Sequence, residues 1–230
     1  MYALTGVTRT FRKHSGTIAA VQDIDLVIGD GEWLAIQGRT GHGKTTLLNL
    51  LGGLDRPTSG TITLNGHDLT AMSENQITRI RAATIGFIFQ TFNLIPTLTA
   101  AENVQAALIP LHIAAAERRE RTAAALDSVG LLDRARHLPS ELSGGQQQRL
   151  GIARALAKQP VVLLADEPTG NLDEDTRDEI ITLLENLRHQ NKLTVVLVTH
   201  DTSLAYRAPR VGIMRNGRLS IRQDTRRAAN

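Results

Sequence analysis

The stretch Gly38 to Thr46, GRTGHGKTT, constrains this chain more than any other. Gly38, Gly43, Lys44 and Thr45 hold the fixed places of the spacing G-x-x-x-x-G-K-[ST]. Glycine tolerates backbone conformations that let successive N–H groups converge on one centre, which suits a polyphosphate. Lys44 would bring a point charge to the β- and γ-phosphates, and the Thr45 hydroxyl would bind Mg²⁺. The flanks agree with this reading. Glu32 to Gln37, EWLAIQ, reads as a short strand, and Thr45 to Leu51, TTLLNLL, as the first turns of a buried helix. That helix would aim its positive dipole end at the phosphates.

The bulk numbers set bounds. A chain of 230 residues suits one sizeable domain, or a core with one inserted subdomain. There is no cysteine, so a disulfide framework and a thiolate metal site are both excluded. The start, MYALTGVTRTFRK, lacks the apolar core of a secretory signal, and no apolar run approaches the ~20 residues of a membrane span. A cytoplasmic location is expected. Aromatic residues are only 3%, which argues against a stacking platform for single-stranded nucleic acid. The net charge of +3 is mild; Arg218, Arg222, Arg226 and Arg227 make a basic tail, read as solvated.

Along the chain, Tyr2 to Thr8, Ile18 to Val21 and Ile24 to Ile28 predict three short antiparallel strands, broken at Asp23. Phe11, between the first two, is either an ordinary aromatic or a stacking surface for a base. A strand is expected over Gly60 to Leu64 before a turn at Asn65-Gly66, then a helix from Ser73 through Ala82 and a strand over Ile85 to Phe89 ending at Gln90. Ala-rich helices follow over Thr97 to Leu108 and Ala114 to Val129, then a loop over Ala135 to Leu142. After a helix over Gly145 to Lys158, two buried strands are expected, Val161 to Ala165 and Thr194 to Thr199, with an amphipathic helix over Glu174 to His189 between them. Unalternating Val/Leu runs separated by helices indicate a parallel sheet covered on both faces. Arg210 to Met214 and Leu219 to Arg222 read as closing edge strands.

The chemistry clusters at strand ends, where open parallel sheets bind ligands. VVLLADE ends in two carboxylates. Asp166 would hold Mg²⁺ together with Thr45, and Glu167 would polarise the attacking water as general base. Two acids before Pro168 also suit a helix N-cap. His200 directly follows TVVLVT and would contact the γ-phosphate. Gln90 is either a polar cap or a ligand to Mg²⁺ or the attacking water. Leu142 to Arg149, LSGGQQQR, is a second anion site: Ser143 is a good N-cap, and Gly144 and Gly145 expose N–H groups at a helix start. Two phosphate-binding loops in one domain imply either two ligands or one ligand shared between two copies.

Taken together these residues resemble the nucleotide-binding subunit of an ABC (ATP-binding cassette) transporter, over about Tyr2 to Gly217. The phosphate loop, Gln90, LSGGQ, LLADE, GNLD at Gly170 to Asp173, and His200 come in family order and spacing. The resemblance implies an α/β fold of the P-loop NTPase, ABC-ATPase type: a mainly parallel core sheet, an antiparallel β subdomain and an inserted α-helical subdomain. It implies one ABC ATPase domain over residues 1–230, with core 1–90 and 144–222, helical subdomain about 91–143 and basic tail 223–230. ATP and Mg²⁺ are the implied cofactors. Phe11 would stack on adenine; Gly38, Arg39, Thr40, Gly41, His42, Gly43, Lys44, Thr45 and Thr46 would bind ATP; Thr45, Gln90 and Asp166 would hold the metal. Glu167, His200, Gln90 and Lys44 would serve catalysis. Leu142, Ser143, Gly144, Gly145 and Gln146 would grip the ATP of a second copy, and Asp173 would lie in the loop crossing that interface.

The family usually has Pro-Ser and Ser where this chain has Arg39, Thr40 and His42; Arg39 and His42 would add charge near the phosphates. The stretch Ile85 to Val104 resembles the lipoprotein-release, macrolide-exporter and cell-division branch. The implied partners are integral-membrane permease subunits and a second copy of the chain, on the inner face of the cell membrane, with no nucleic acid. The alternative within the branch is a mechanical ATPase that signals across the membrane and transports nothing. Phe92, Leu94, Ile95 and Leu98 would lie near the groove that receives a membrane subunit's coupling helix, or in subdomain core.

Overall fold

The computed structural model describes residues 1–13 and 16–222. Arg226 and Arg227 of the basic tail lie outside them. The chain forms two compact units. The first runs over Met1–Ile77 and resumes at Thr194; the second is Thr78–Leu193.

The first unit begins with strands β1 (Tyr2–Lys13) and β2 (Gly16–Ile28), paired antiparallel. Three short strands were expected from the break at Asp23, but the ribbon absorbs that residue. Asp23 takes φ 48° as a bulge, and its N–H donates to the Thr8 hydroxyl at 3.0 Å. The extra residue costs one ladder position without ending the strand. Strand β3 (Trp33–Gln37) is buried from Trp33 to Ile36, and helix α1 (Lys44–Leu51) follows the phosphate loop. Strands β4 (Ser59–Leu64) and β5 (His67–Asp68) are joined by Asn65-Gly66, both at positive φ (50° and 80°), as a primed turn requires. These strands make a sheet in the order β2-β1-β4-β5. Helix α2 (Glu74–Thr84) closes this segment of the chain.

The second unit carries β6 (Ile85–Ile88), α3 (Ala100–Ala106), α4 (Ala115–Ser128), α5 (Gly144–Leu156), β7 (Val162–Asp166) and α6 (Glu174–Asn191). β6 and β7 pair parallel, Ile85 opposite Val162 and Ile88 opposite Ala165. Val161 belongs to neither strand and is exposed, contrary to the expected buried run; its N–H donates to Thr84 O at 2.9 Å. α3 is shorter than predicted because Thr99 caps it in a box with Glu102. The residues before it are held by Asn103, fully buried, whose amide donates to the carbonyls of Ile95, Leu98 and Thr99. A short 3₁₀ turn at Pro139–Glu141 lies within the predicted loop, and another at Leu132–Arg134 precedes it.

The chain then returns to the first unit with β8 (Thr194–Thr199), a short α7 (Thr202–Ala205), β9 (Arg210–Arg215) and β10 (Arg218–Arg222). β3 pairs parallel with both β8 and β9, and β10 closes antiparallel on β9. All six residues of β8 are buried, and α1 packs Leu47, Leu48, Leu50 and Leu51 inward. Each such leucine contributes about 1.5–3 kcal/mol on burial. This core fixes β3 and α1, and so fixes the loop strung between them.

Candidate functional site

The first unit holds the phosphate loop. Gly43 takes φ 97° as the N-cap of α1, and a Cβ there would stand 1.9 Å from Ala20 O. A Cβ on Gly38 would stand 2.5 Å from Met214 O. Only glycine fits either place, so β2 and β9 press on the loop from outside. No side chain caps α1 and no acid sits in its first turn, which leaves its N-terminus positive. Lys44 is buried to 6% exposure. Its ammonium donates back to Gly38 O at 2.8 Å and to Arg39 O at 3.4 Å, drawing the loop closed around the charge. Thr45 is exposed at the helix start.

His42 has a structural duty that spacing did not reveal. Its Nδ1 donates to Met214 O at 3.2 Å, and its carbonyl accepts from Gly217 N at 3.1 Å. The ring ties the loop to the β9–β10 hairpin. His200 leaves β8 and shares a cleft of about 900 Å³ with Gly38, Arg39 and Thr40. Arg39, Arg215, Arg222, His42 and His200 line that cleft and no carboxylate does. The loop and His200 are thus brought together within one unit, in a place suited to anions. Phe11 lies on β1 opposite Ile18 of β2, two residues before the Ala20 that borders Gly43. It is 38% exposed, and the Arg9 guanidinium sits 4.6 Å from its ring centre. Arg9 is itself held by Asp55 at 2.8 Å, so one face of the ring is occupied by a fixed cation.

The second unit holds the remaining residues. β7 delivers Asp166 and Glu167, and no helix begins there: residues 168–171 form a turn and α6 is capped later, by Asp173. The capping alternative for these two acids is therefore set aside. Glu167 sits at φ 46°, a left-handed conformation disfavoured for a non-glycine residue and typical of residues aimed for a purpose. β6 delivers Gln90 beside this turn. Its amide donates to Asn171 Oδ1 at 3.3 Å, and Asn171 Nδ2 donates to Gln90 O at 3.0 Å. A Cβ on Gly170 would stand 2.7 Å from Gln90 Nε2, so Gly170 lets the two loops close.

Ser143 caps α5 as expected: Gln146 N donates to its hydroxyl at 3.3 Å, and its own N–H donates to Gln146 Oε1 at 2.9 Å. Gly144 is exposed, while Leu142 beneath it is buried. A Cβ on Gly145 would stand 2.5 Å from Thr176 Cγ2, which packs the signature against the start of α6. There Asp173 accepts from Thr176 N and Thr176 Oγ1, both at 2.9 Å. The backbone N–H of Thr176, first of all, holds the Asp173 carboxyl below the usual carboxylate range.

Sequence reasoning missed Arg154. From α5 it reaches the strained turn after Gln90, where Phe92 and Asn93 both take positive φ (60° and 50°). It donates to Phe92 O at 2.7 Å and also to Asn93 O. One turn on, Lys158 is half-buried and its ammonium pKa is pushed down to about 8, by desolvation first and by Arg81 and Arg154 next. The unfolded chain holds that proton up to the ordinary value of 10.5. The burial penalty is therefore present below pH 8 and is relieved as pH rises from 8 to about 10.5. Lys158→Met is expected to stabilise the chain by roughly 2 kcal/mol at pH 7, with the gain vanishing by pH 10.5. Urea denaturation of both proteins at the two pH values checks this; a gain independent of pH overturns the charge explanation.

Comparison with known proteins decides the family. A model of the ABC transporter family matches residues 21–170, which include the phosphate loop, the signature and Glu167. The chain belongs to the ABC transporter family. It is an ABC-type ATPase and binds ATP. The ABC protein YvrO of Bacillus subtilis (strain 168), an uncharacterised transporter ATP-binding protein, is 43% identical over 221 residues, 96% of each chain. A macrolide export ATP-binding/permease protein MacB of Rhodopseudomonas palustris (strain HaA2) is 44% identical over 99% of this chain. The chain spans 35% of that relative's length. The ABC cassette MJ0796, solved as a dimer in a post-hydrolysis state bound to ADP and Pi, matches with TM-score 0.87 and 41% identity, covering 96% of this chain and 98% of that one. No helix among the described residues is long and apolar enough to cross a membrane.

Proposed function

We propose that this ABC ATPase powers an export complex of the macrolide-exporter type, docking from the cytoplasm on integral-membrane permease subunits. The observation that carries the reading is the pair of separate anion sites. One is a closed loop around Lys44, the other a capped signature helix at Ser143, and the two lie in different units. Relatives named ATP-binding/permease proteins support the membrane partner, and the dimeric state of MJ0796 supports a second copy. Lys44 and the N–H groups of residues 38–46 hold the triphosphate, Phe11 meets the adenine, and His200 contacts the γ-phosphate. Thr45, Gln90 and Asp166 offer hard oxygens of the kind Mg²⁺ takes, alongside phosphate oxygens and waters. Glu167 accepts the proton of the attacking water. Ser143, Gly144 and Gly145 grip the γ-phosphate held by the other copy, and Asp173 lies at that interface. Hydrolysis removes the grip and the pair opens.

Mixing tests the shared site. Lys44→Ala and Ser143→Arg should each be inactive alone. In a head-to-tail dimer, a mixed pair keeps one intact site. Equimolar mixing should therefore restore ATP hydrolysis toward roughly a quarter of the parental rate, since random pairing makes half the dimers mixed. No recovery sinks the shared-site reading.

A further inference from the structure

A clamp behind Phe11 ties that ring to the helix that starts at the phosphate loop. The Arg9 guanidinium lies 4.6 Å from the ring centre, and Asp55 grips it by two prongs: Nε donates to Oδ2 at 2.9 Å and Nη2 pairs with Oδ1 at 2.8 Å. Asp55 follows closely on the end of α1. Leu54 N and Asp55 N both donate to Asn49 O of that helix, at 2.9 and 3.4 Å. The same segment is stitched to β1 on either side of Arg9. Thr58 N donates to Thr8 O at 2.7 Å, and Thr10 N donates to the Thr58 hydroxyl at 3.0 Å. Both side chains of the ion pair are 26% exposed, and a pair that accessible adds little to stability. Its fork geometry does fix direction. Phe11 stays 38% exposed although one face is covered, and among the described residues no other ring stacks on it. Its cross-strand neighbour Ile18 is also exposed, so apolar surface is left open beside the ring.

We infer that Arg9, locked by Asp55, is a positioning residue for nucleotide binding: it holds the Phe11 ring in register with the phosphate loop and reserves the opposite face for the base. The inference rests on the reading of Phe11 as the adenine contact and adds what keeps the ring there. A half-exposed ring near a strand end can change rotamer, and ordering it on binding costs affinity. The clamp settles that order beforehand. The cation also draws on the ring's π-system from behind, which eases stacking of a second π-face in front.

The test compares ATP with inorganic tripolyphosphate, which can engage the phosphate loop but has no base. Each is titrated with Mg²⁺ into the full chain by calorimetry. Arg9→Gln should raise the Kd for ATP about three- to tenfold, as loss of one cation–π contact implies, and leave that for tripolyphosphate unchanged. KM for ATP should rise by the same factor with kcat unchanged, because the base is held alike in ground and transition states. Asp55→Asn, which loosens the clamp without touching the ring, should shift ATP in the same direction and spare tripolyphosphate. In a Phe11→Ala background, Arg9→Gln should cost nothing further. Tripolyphosphate binding at parental strength shows that each variant is folded. Equal losses for ATP and tripolyphosphate overturn the inference, since the clamp then only shapes the loop. So does unchanged ATP affinity, or a loss that persists in Phe11→Ala and so places Arg9 on the nucleotide itself. Phe11→Ala alone separates the two readings. If it weakens ATP and spares tripolyphosphate, the adenine contact stands whatever Arg9 does; if ATP binding is unchanged, both fall.

Discussion

Glu167→Gln should abolish turnover while leaving an ATP-loaded dimer. Removing a general base typically costs 10²–10⁴-fold, so ATPase activity should fall by about that factor. The substitution keeps size and shape, which matters at a residue held at φ 46° between β7 and the turn over 168–171. Binding should therefore survive while the proton acceptor is lost. The γ-phosphate would persist, and with it the grip of the Ser143 loop. Size-exclusion chromatography with light scattering, run with ATP and Mg²⁺, should show a shift to twice the parental mass, reversed by dialysis into ADP. A variant that stays monomeric, or hydrolyses at the parental rate, shows that another group accepts the proton.

What the sequence could disclose follows from how local each feature is. β3, the loop and α1 are contiguous, and each is signalled by its own residues, so their order and bounds were legible. The same holds for Ser143, whose capping box with Gln146 is written within four positions. Asp23 misled because a bulge and a break look alike in one strand; the difference lies in Thr8 of the partner strand, which takes the Asp23 N–H. β5 and α7 are too short for any period to show. Arg154 was invisible for a different reason. In a helix reading IARALAK it passes for a solvated residue, and only the fold shows it spent on two carbonyls some sixty positions earlier. Gln148 is the opposite case: polar by type, yet fully buried with no hydrogen-bond partner for its amide among the described residues. His42 stands out in the sequence only as added charge; its tie to the β9–β10 hairpin is visible in the fold alone.

Alanine at Gly43 and at Gly41 should behave very differently, although both glycines have positive φ (97° and 80°). A Cβ at position 41 meets nothing within 4 Å, so Gly41→Ala bears only the left-handed backbone cost of about 1–2 kcal/mol. A Cβ at position 43 would lie 1.9 Å from Ala20 O, a backbone atom that cannot rotate away. Gly43→Ala should then destabilise by about 4 kcal/mol or more, among the large effects known for single changes. The clash has a functional consequence as well. Ala20 lies in the ribbon that carries Phe11, so relieving it moves either the helix start of the proposed phosphate site or the strand pair that bears Phe11, the proposed adenine contact. ATP affinity should fall at least 100-fold in Gly43→Ala and less than tenfold in Gly41→Ala, read by fluorescent-nucleotide titration beside urea denaturation. Equal losses in the two variants would mean that backbone conformation alone, and not the approach of β2, makes glycine necessary in the loop.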